Sequence, residues 1–252
     1  MSQGYVKSET TDRITTIEFF HPAQNSLPGD LLTELTTAIY AAGKDPAVLL
    51  IVLRSAGDKT FCAGASFTEL ASIADEESGL RFFSGFANVI NAIRTCGKVV
   101  IGRVHGKAVG GGVGLAAACD YCMASKYATV RLSELAVGIG PFVIGPAVER
   151  KIGLSAFSQM AINAGEWQTA EWAKQKGLFT EAFETVEQLD AYITHFTAEL
   201  VTKNPEALSG LKRIFWEGTG HWDTLLEERA ALSGKLILSD FAKNAIQSFL
   251  KT

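Results

Sequence analysis

The chain has 252 residues, is 47% hydrophobic and 20% charged, and carries a formal net charge of −4. That is globular composition, and the length suits one substantial domain, or one domain with a smaller helical appendage, around a sizeable core. The acidic balance and the lack of a basic block argue against a nucleic-acid partner, and no stretch approaches the roughly 20 apolar residues of a membrane helix.

The opening segment MSQGYVKSET lacks the apolar run of a secretory leader, so a soluble, cytoplasmic protein with no membrane partner is expected. Residues 5–20 read as two short strands around a turn at Thr10 to Arg13, ended by His21-Pro22. Leu31, Leu35, Ile39 and Ala42 share one helical face, which predicts a helix over 30–42. Val48 to Leu53 is a continuous apolar run, as in a strand buried on both sides. A glycine-bearing loop follows from Ser55 to Ser66.

Leu80, Phe83, Phe86, Ile90 and Ile93 recur at three and four, predicting a helix over 76–95. Val99 to Val104 is the next strand. Gly110-Gly111-Gly112 then stands directly before an apolar helical segment, Val113 to Ala118. Asp120 to Met123 and Thr129 to Leu132 are further short strands, and from Ile144 the pattern is helical almost to the end. Strands alternating with helices predict an α/β core. The part from about residue 185 reads as a helical appendage, apolar enough in Phe196, Leu200, Leu208, Leu211, Ile214 and Phe215 to suggest subunit contacts.

The first N–H groups of a helix lack internal partners, and the helix dipole favours negative charge there. Glycines allow close approach to such a backbone, so Gly110 to Gly112 can form an anion or oxyanion site, or simply a tight strand-to-helix turn. No GxGxxG stands early in the chain and no GxxxxGK[ST] is present, so dinucleotide and phosphate-loop readings fit poorly. The loop Phe61-Cys62-Ala63-Gly64-Ala65-Ser66-Phe67 offers a second small, apolar surface against which a ligand or the protein itself could pack. Cys119 and Cys122 have CxxC spacing without a second pair, so buried thiols are expected and no metal site.

These residues resemble the crotonase superfamily, the enoyl-CoA hydratase and isomerase group, over essentially the whole chain. Asn25-Ser26-Leu27 looks like its early segment, and Phe61 to Ala65 like its first signature loop. Val104-His105-Gly106 through the glycine triplet to Cys119-Asp120 resembles the second, and Leu132-Ser133-Glu134 to Val137-Gly138 the third. Gly165, Ala173 and Gly177-Leu178 fit a weaker pattern, and Phe249-Leu250-Lys251 resembles a shortened C-terminal helix. The resemblance implies a crotonase-like spiral of ββα turns: a CoA-binding, catalytic core over 1–184 and a helical trimerisation region over 185–252. It implies an acyl-CoA substrate, no cofactor beyond the CoA moiety, and a homotrimer or dimer of trimers. The N–H groups of Ala65 and Gly111 would form the oxyanion hole, where one such donor is typically worth roughly 3–4 kcal/mol of barrier. Ala63, Ala65, Ser66, Phe67, Thr68 and Gly111 would lie along the CoA thioester.

Two-glutamate hydratases of this family carry one acid at the position of Gly114 and the other at that of Glu134. Here the first is vacated and the second retained. Hydration needs a water held and deprotonated and a proton delivered; shifting a double bond needs one base that removes an α-proton and returns it at the γ-carbon. A Δ3,Δ2-enoyl-CoA isomerase using Glu134 is therefore favoured. The alternatives are a hydratase with a water near Gly114 and a non-catalytic CoA-binding or assembly subunit. Phe142 would dry the pocket and raise the pKa of Glu134. His105 could serve as a base, Lys107 could meet a phosphate or be solvated, and Phe83 and Phe86 suit core packing better than an acyl pocket.

Overall fold

The computed structural model describes residues 4–250. Lys251, the end of the C-terminal segment quoted above, lies outside them. Strands β1 (Tyr5–Thr11) and β2 (Ile14–Phe20) form an antiparallel hairpin with Thr11 opposite Ile14. The two loop residues, Asp12 and Arg13, have φ of 50° and 69°. A two-residue loop with both φ positive has the twist that strand pairing prefers. Helix α1 (Gly29–Lys44) buries Leu31, Leu35, Ile39 and Ala42, the expected face, together with Leu32.

From β3 onward the chain repeats strand, strand, helix. The pairs are β3 (Leu50–Ser55) with β4 (Thr60–Cys62), β5 (Val99–Val104) with β6 (Lys107–Val109), and β7 (Tyr121–Ser125) with β8 (Val130–Arg131). In each pair the first strand joins a large sheet and the second a small one. The helices that follow are α2 (Phe67–Leu70) and α3 (Glu76–Thr95), then α4 (Gly111–Ala118), then α5 (Gly145–Ile162) and α6 (Ala170–Gln175). The large sheet has the order β1-β2-β3-β5-β7-β9, parallel except for β1, where β9 is Glu181–Phe183. The small sheet, β4-β6-β8, is parallel throughout. This is the expected α/β spiral of ββα turns.

The central strands are apolar on both faces because both faces are covered. Ile51, Leu53, Val100, Cys122 and Ala124 face the main core, while Leu50, Val52, Val99, Ile101 and Met123 face a second one. The second core is closed by Leu189 and Ile193 of α7 (Val186–Leu200) and Leu208 of α8 (Pro205–Phe215). The C-terminal helices are thus built into the molecule. On α9 (Trp222–Leu236), Leu226 and Ala230 belong to the main core, and Ala242 and Ile246 of α10 (Asp240–Leu250) join them. Leu211, Ile214 and Phe215 stay 46%, 54% and 43% exposed, so α8 keeps an apolar outer face. Strand β9 interrupts the segment read as helical; three half-buried residues, Glu-Ala-Phe, give no strand signal of their own. No helix among the described residues is long and apolar enough to cross a membrane.

Candidate active site

The three parallel strands of the small sheet deliver three loops to one place. The carboxyl end of β4 runs into Ala63–Ser66, that of β6 into Gly110-Gly111, and that of β8 into Ser133-Glu134. Carboxyl ends of parallel strands are where open α/β sheets bind ligands. Neither β4 nor β6 was legible in the sequence, since three residues carry no alternation to read.

The first loop is held from behind by residues 24–27. Ala63 N donates to Gln24 O (3.2 Å), Leu27 N to Gly64 O (2.8 Å), and Ser66 N to Leu27 O (3.2 Å). Asn25, buried and at φ 55°, donates from its amide to Ala56 O and Thr60 O, both at 2.8 Å, and accepts from His21 N. Asparagine tolerates this left-handed backbone and satisfies three loop groups at once.

The first and second loops touch through glycine. A Cβ at Gly64 (φ 85°) would lie 2.8 Å from Val109 O and 3.4 Å from Gly111 N, and one at Gly112 would lie 2.5 Å from Cys62 O. Gly111 is the first residue of α4, so its N–H is among the helix's unpaired donors. Among the described residues, neither Gly111 N nor Ala65 N donates a hydrogen bond to another protein group.

Glu134 starts a one-turn 3-10 helix, Glu134–Val137, closed by Gly138 at φ 81°. Its carboxylate lies over the glycine turn: a Cβ at Gly110 (φ 51°) would be 2.9 Å from Oε1. Oε2 is buried without a partner. Burial in these apolar surroundings pushes the Glu134 carboxyl up from the usual 4.5 to about 7, against a smaller lowering by backbone N–H groups. At neutral pH such a group takes or gives a proton with little driving force either way.

One cavity contains Ala63, Ala65, Phe67, Gly111 and Glu134 in its wall. Phe83, Phe86 and Phe142 also line it, so the two helical phenylalanines serve pocket and core together. Phe142 is held against Gly140, where a Cβ would meet its ring at 2.4 Å. Ser66 and Thr68 stand apart from this wall. The Ser66 hydroxyl caps α2 by accepting from Glu69 N, and Thr68 is exposed. His105 is buried, with no hydrogen-bond partner on either ring nitrogen, away from the cavity lining; burial and then Arg103 lower its pKa to about 4. Lys107 is exposed, its ammonium over the Trp167 ring.

The space expected for a water beside Gly114 is filled. Gly114 is absent from the cavity wall, and a Cβ there would lie 2.4 Å from Ile144 Cγ2. Ile144 was not singled out in the sequence, because only the packing of α4 on the start of α5 brings it there. Ser233, on α9, also joins the wall unannounced by any local pattern. Cys119 and Cys122 are free, buried thiols packed on Gly102, and the described residues hold no cluster of three or more metal-ligating groups.

The family model described as "Enoyl-CoA hydratase/isomerase" matches residues 9–252. The chain is 27% identical over 244 residues to a probable enoyl-CoA hydratase of Bacillus subtilis (strain 168), covering 94% of this chain and 92% of that one. It is 29% identical over 205 residues to a peroxisomal Delta(3,5)-Delta(2,4)-dienoyl-CoA isomerase of Arabidopsis thaliana, covering 75% and 72%. Its fold matches an enoyl-CoA hydratase from Bacillus halodurans with a TM-score of 0.89 at 22% identity, over 97% of this chain and 99% of that one. A fold of this kind, three loops converging on a glutamate with a buried carboxylate oxygen, and a match over nearly the whole sequence place the chain among enzymes of the enoyl-CoA hydratase/isomerase family.

Proposed function

We propose that the protein is a single-glutamate enoyl-CoA isomerase that moves a double bond from the 3,4 to the 2,3 position of an acyl-CoA. The thioester oxygen sits between the N–H groups of Ala65 and Gly111. Carboxylate Glu134 removes the α-proton, the two donors hold the enolate oxygen, and the resulting carboxylic acid returns the proton at the γ-carbon. Nothing is gained or lost overall, so one acid-base group suffices. Donors already fixed before reaction stabilise a charge that appears only in the enolate.

The observation that carries this reading is the packing of Ile144 on Gly114. It takes the place where a hydratase of this family would hold its second acid. The neighbouring Phe142 and Val143 keep the surroundings apolar, which disfavours a water nucleophile. A dienoyl isomerase would want acids near Gly114 and Phe142, so that branch is not favoured. The purified protein, assayed with 3-enoyl-CoA and 2-enoyl-CoA, should convert the first faster than it hydrates the second. Hydration outpacing isomerisation, or binding without turnover of either, would overturn the assignment. Replacing Glu134 with Gln should remove most of the activity.

The exposed apolar face of α8, and the exposed Phe241 of α10, support self-association through the helices of 185–252 as a homotrimer or a dimer of trimers. The solution mass by light scattering tests this, and a monomer at micromolar concentration would refute it.

A further inference from the structure

The two backbone donors are aimed by different means. A trans peptide holds its C=O and N–H on opposite sides, so fixing the carbonyl fixes where the N–H of the next residue points. Gly110 O accepts from Val113 N (2.8 Å) and Gly114 N (3.2 Å), so the Gly111 N–H is aimed by the first turn of its own helix. Gly64 O accepts instead from Leu27 N (2.8 Å), in a distant segment of the chain. That bond turns the Ala65 N–H away from Leu27, and Ala65 lines the cavity.

The aim of Ala65 therefore depends on where Leu27 stands. On one side Leu27 is followed by Pro28, which leads directly into α1. On the other the chain passes through Gln24 and Asn25, both at φ 55°. Residues with a side chain seldom adopt that backbone, and two in succession persist only where their surroundings hold them.

Asn25 supplies the hold. Its carboxamide is buried, donates to Ala56 O and Thr60 O, and accepts from His21 N, while its own N–H donates to His21 O (2.9 Å). The Thr60 hydroxyl adds a bond to Gln24 Oε1 (2.9 Å). Residues 24–27 are thus tied to the chain before β4 through Asn25, and to the chain after it by the parallel bridge of Leu27 with Ala65. Asn25 itself is absent from the cavity wall.

We infer that Asn25 is a positioning residue for the reaction: through Leu27 N and Gly64 O, its carboxamide sets the direction in which the Ala65 N–H meets the thioester oxygen. The inference rests on the isomerase reading for the place of that oxygen between Ala65 and Gly111, and not for what the enolate becomes.

The test separates aim from folding. Asn25→Gly keeps the left-handed backbone without strain and deletes the carboxamide. With 3-enoyl-CoA its kcat should fall by about a hundredfold with KM little changed, the loss a small misplacement of a reacting group can give. A spectroscopic readout needs no turnover. In a Glu134→Gln background, the infrared carbonyl stretch of bound butyryl-CoA, isotopically labelled at the thioester carbonyl, should lie below its solution value. Adding Asn25→Gly should return it part of the way. A folded Asn25→Gly protein with an unchanged kcat, or with an unchanged stretch, overturns the inference. Hydrogen exchange in the wild type needs no variant to fold: the Leu27 amide should exchange slowly, and fast exchange would also overturn it. A stretch that is lowered and then recovers, in a protein whose wild type does not turn over 3-enoyl-CoA, sinks the isomerase reading and leaves the role of Asn25 standing. A stretch that is not lowered without the Asn25 substitution removes the oxyanion placement, and the role of Asn25 with it.

Discussion

Ile144 occupies the space that a side chain at Gly114 would need: the missing Cβ and Ile144 Cγ2 would be 2.4 Å apart. A side chain at position 114 therefore has no room in this packing, and on the reading proposed above an acid placed there alone should not make a hydratase.

Gly114→Glu alone should destabilise the protein. Overpacking a core costs about 1–3 kcal/mol, and a carboxylate buried without a partner adds to that. Paired with Ile144→Gly, the new side chain has somewhere to go. The double variant should recover much of the lost melting temperature and gain measurable hydration of 2-enoyl-CoA. A singly substituted Gly114→Glu protein that melts with the wild type would show that Ile144 yields freely, and the interlock would then have no functional weight.

The burial of Glu134 has consequences for both rate and stability. As a base in the free enzyme it must be ionised, so kcat/KM should rise with pH up to about 7 and level off above. Stability runs the other way. A carboxyl with a folded pKa near 7 and an ordinary value of 4.5 binds its proton more tightly when folded. Ionising it therefore costs stability: nothing below about pH 4.5, progressively more between, and the full amount above about 7. The full amount is about 3 kcal/mol. Glu134→Gln removes this penalty. Its melting temperature relative to wild type should climb by about 6–12 °C between pH 4.5 and pH 8. A constant offset across that range would mean the carboxyl is not held in an apolar environment.

Much of the architecture was readable from the chain because it rests on local periodicity. The apolar stripe Leu31, Leu35, Ile39 and Ala42 had to face a core, and it does. The glycine triplet before an apolar helix had to leave open N–H groups, and Gly111 stands at the first position of α4. What stayed hidden depends on contacts between distant segments. Strands β4 and β6 exist because they pair with each other, and β6 in turn with β8, and no three-residue sequence announces that. Ile144 and Ser233 acquire meaning only when helices pack. Asp120 read as the end of a signature, yet it has a separate structural task.

Asp120 anchors the C-terminal helices to the core. Its carboxylate accepts from Lys212 Nζ (2.6 Å), Trp216 Nε1 (2.7 Å) and Val100 N (2.7 Å), with both charged side chains at most 2% exposed. Lys212 also donates to Ile93 O (2.6 Å), at the end of α3. Every strong donor around the carboxylate is thus matched, and removing one partner strands a buried charge. Asp120→Ala or Lys212→Met should each cost about 3–5 kcal/mol, because the surviving partner is left uncompensated. Replacing both with apolar residues removes both charges together, so the double variant should be more stable than the sum of the single losses predicts. Urea unfolding of the four proteins measures this coupling. Additive losses would mean that each side chain contributes through its own packing, and that the ion pair does not join α8 to the strands beneath it.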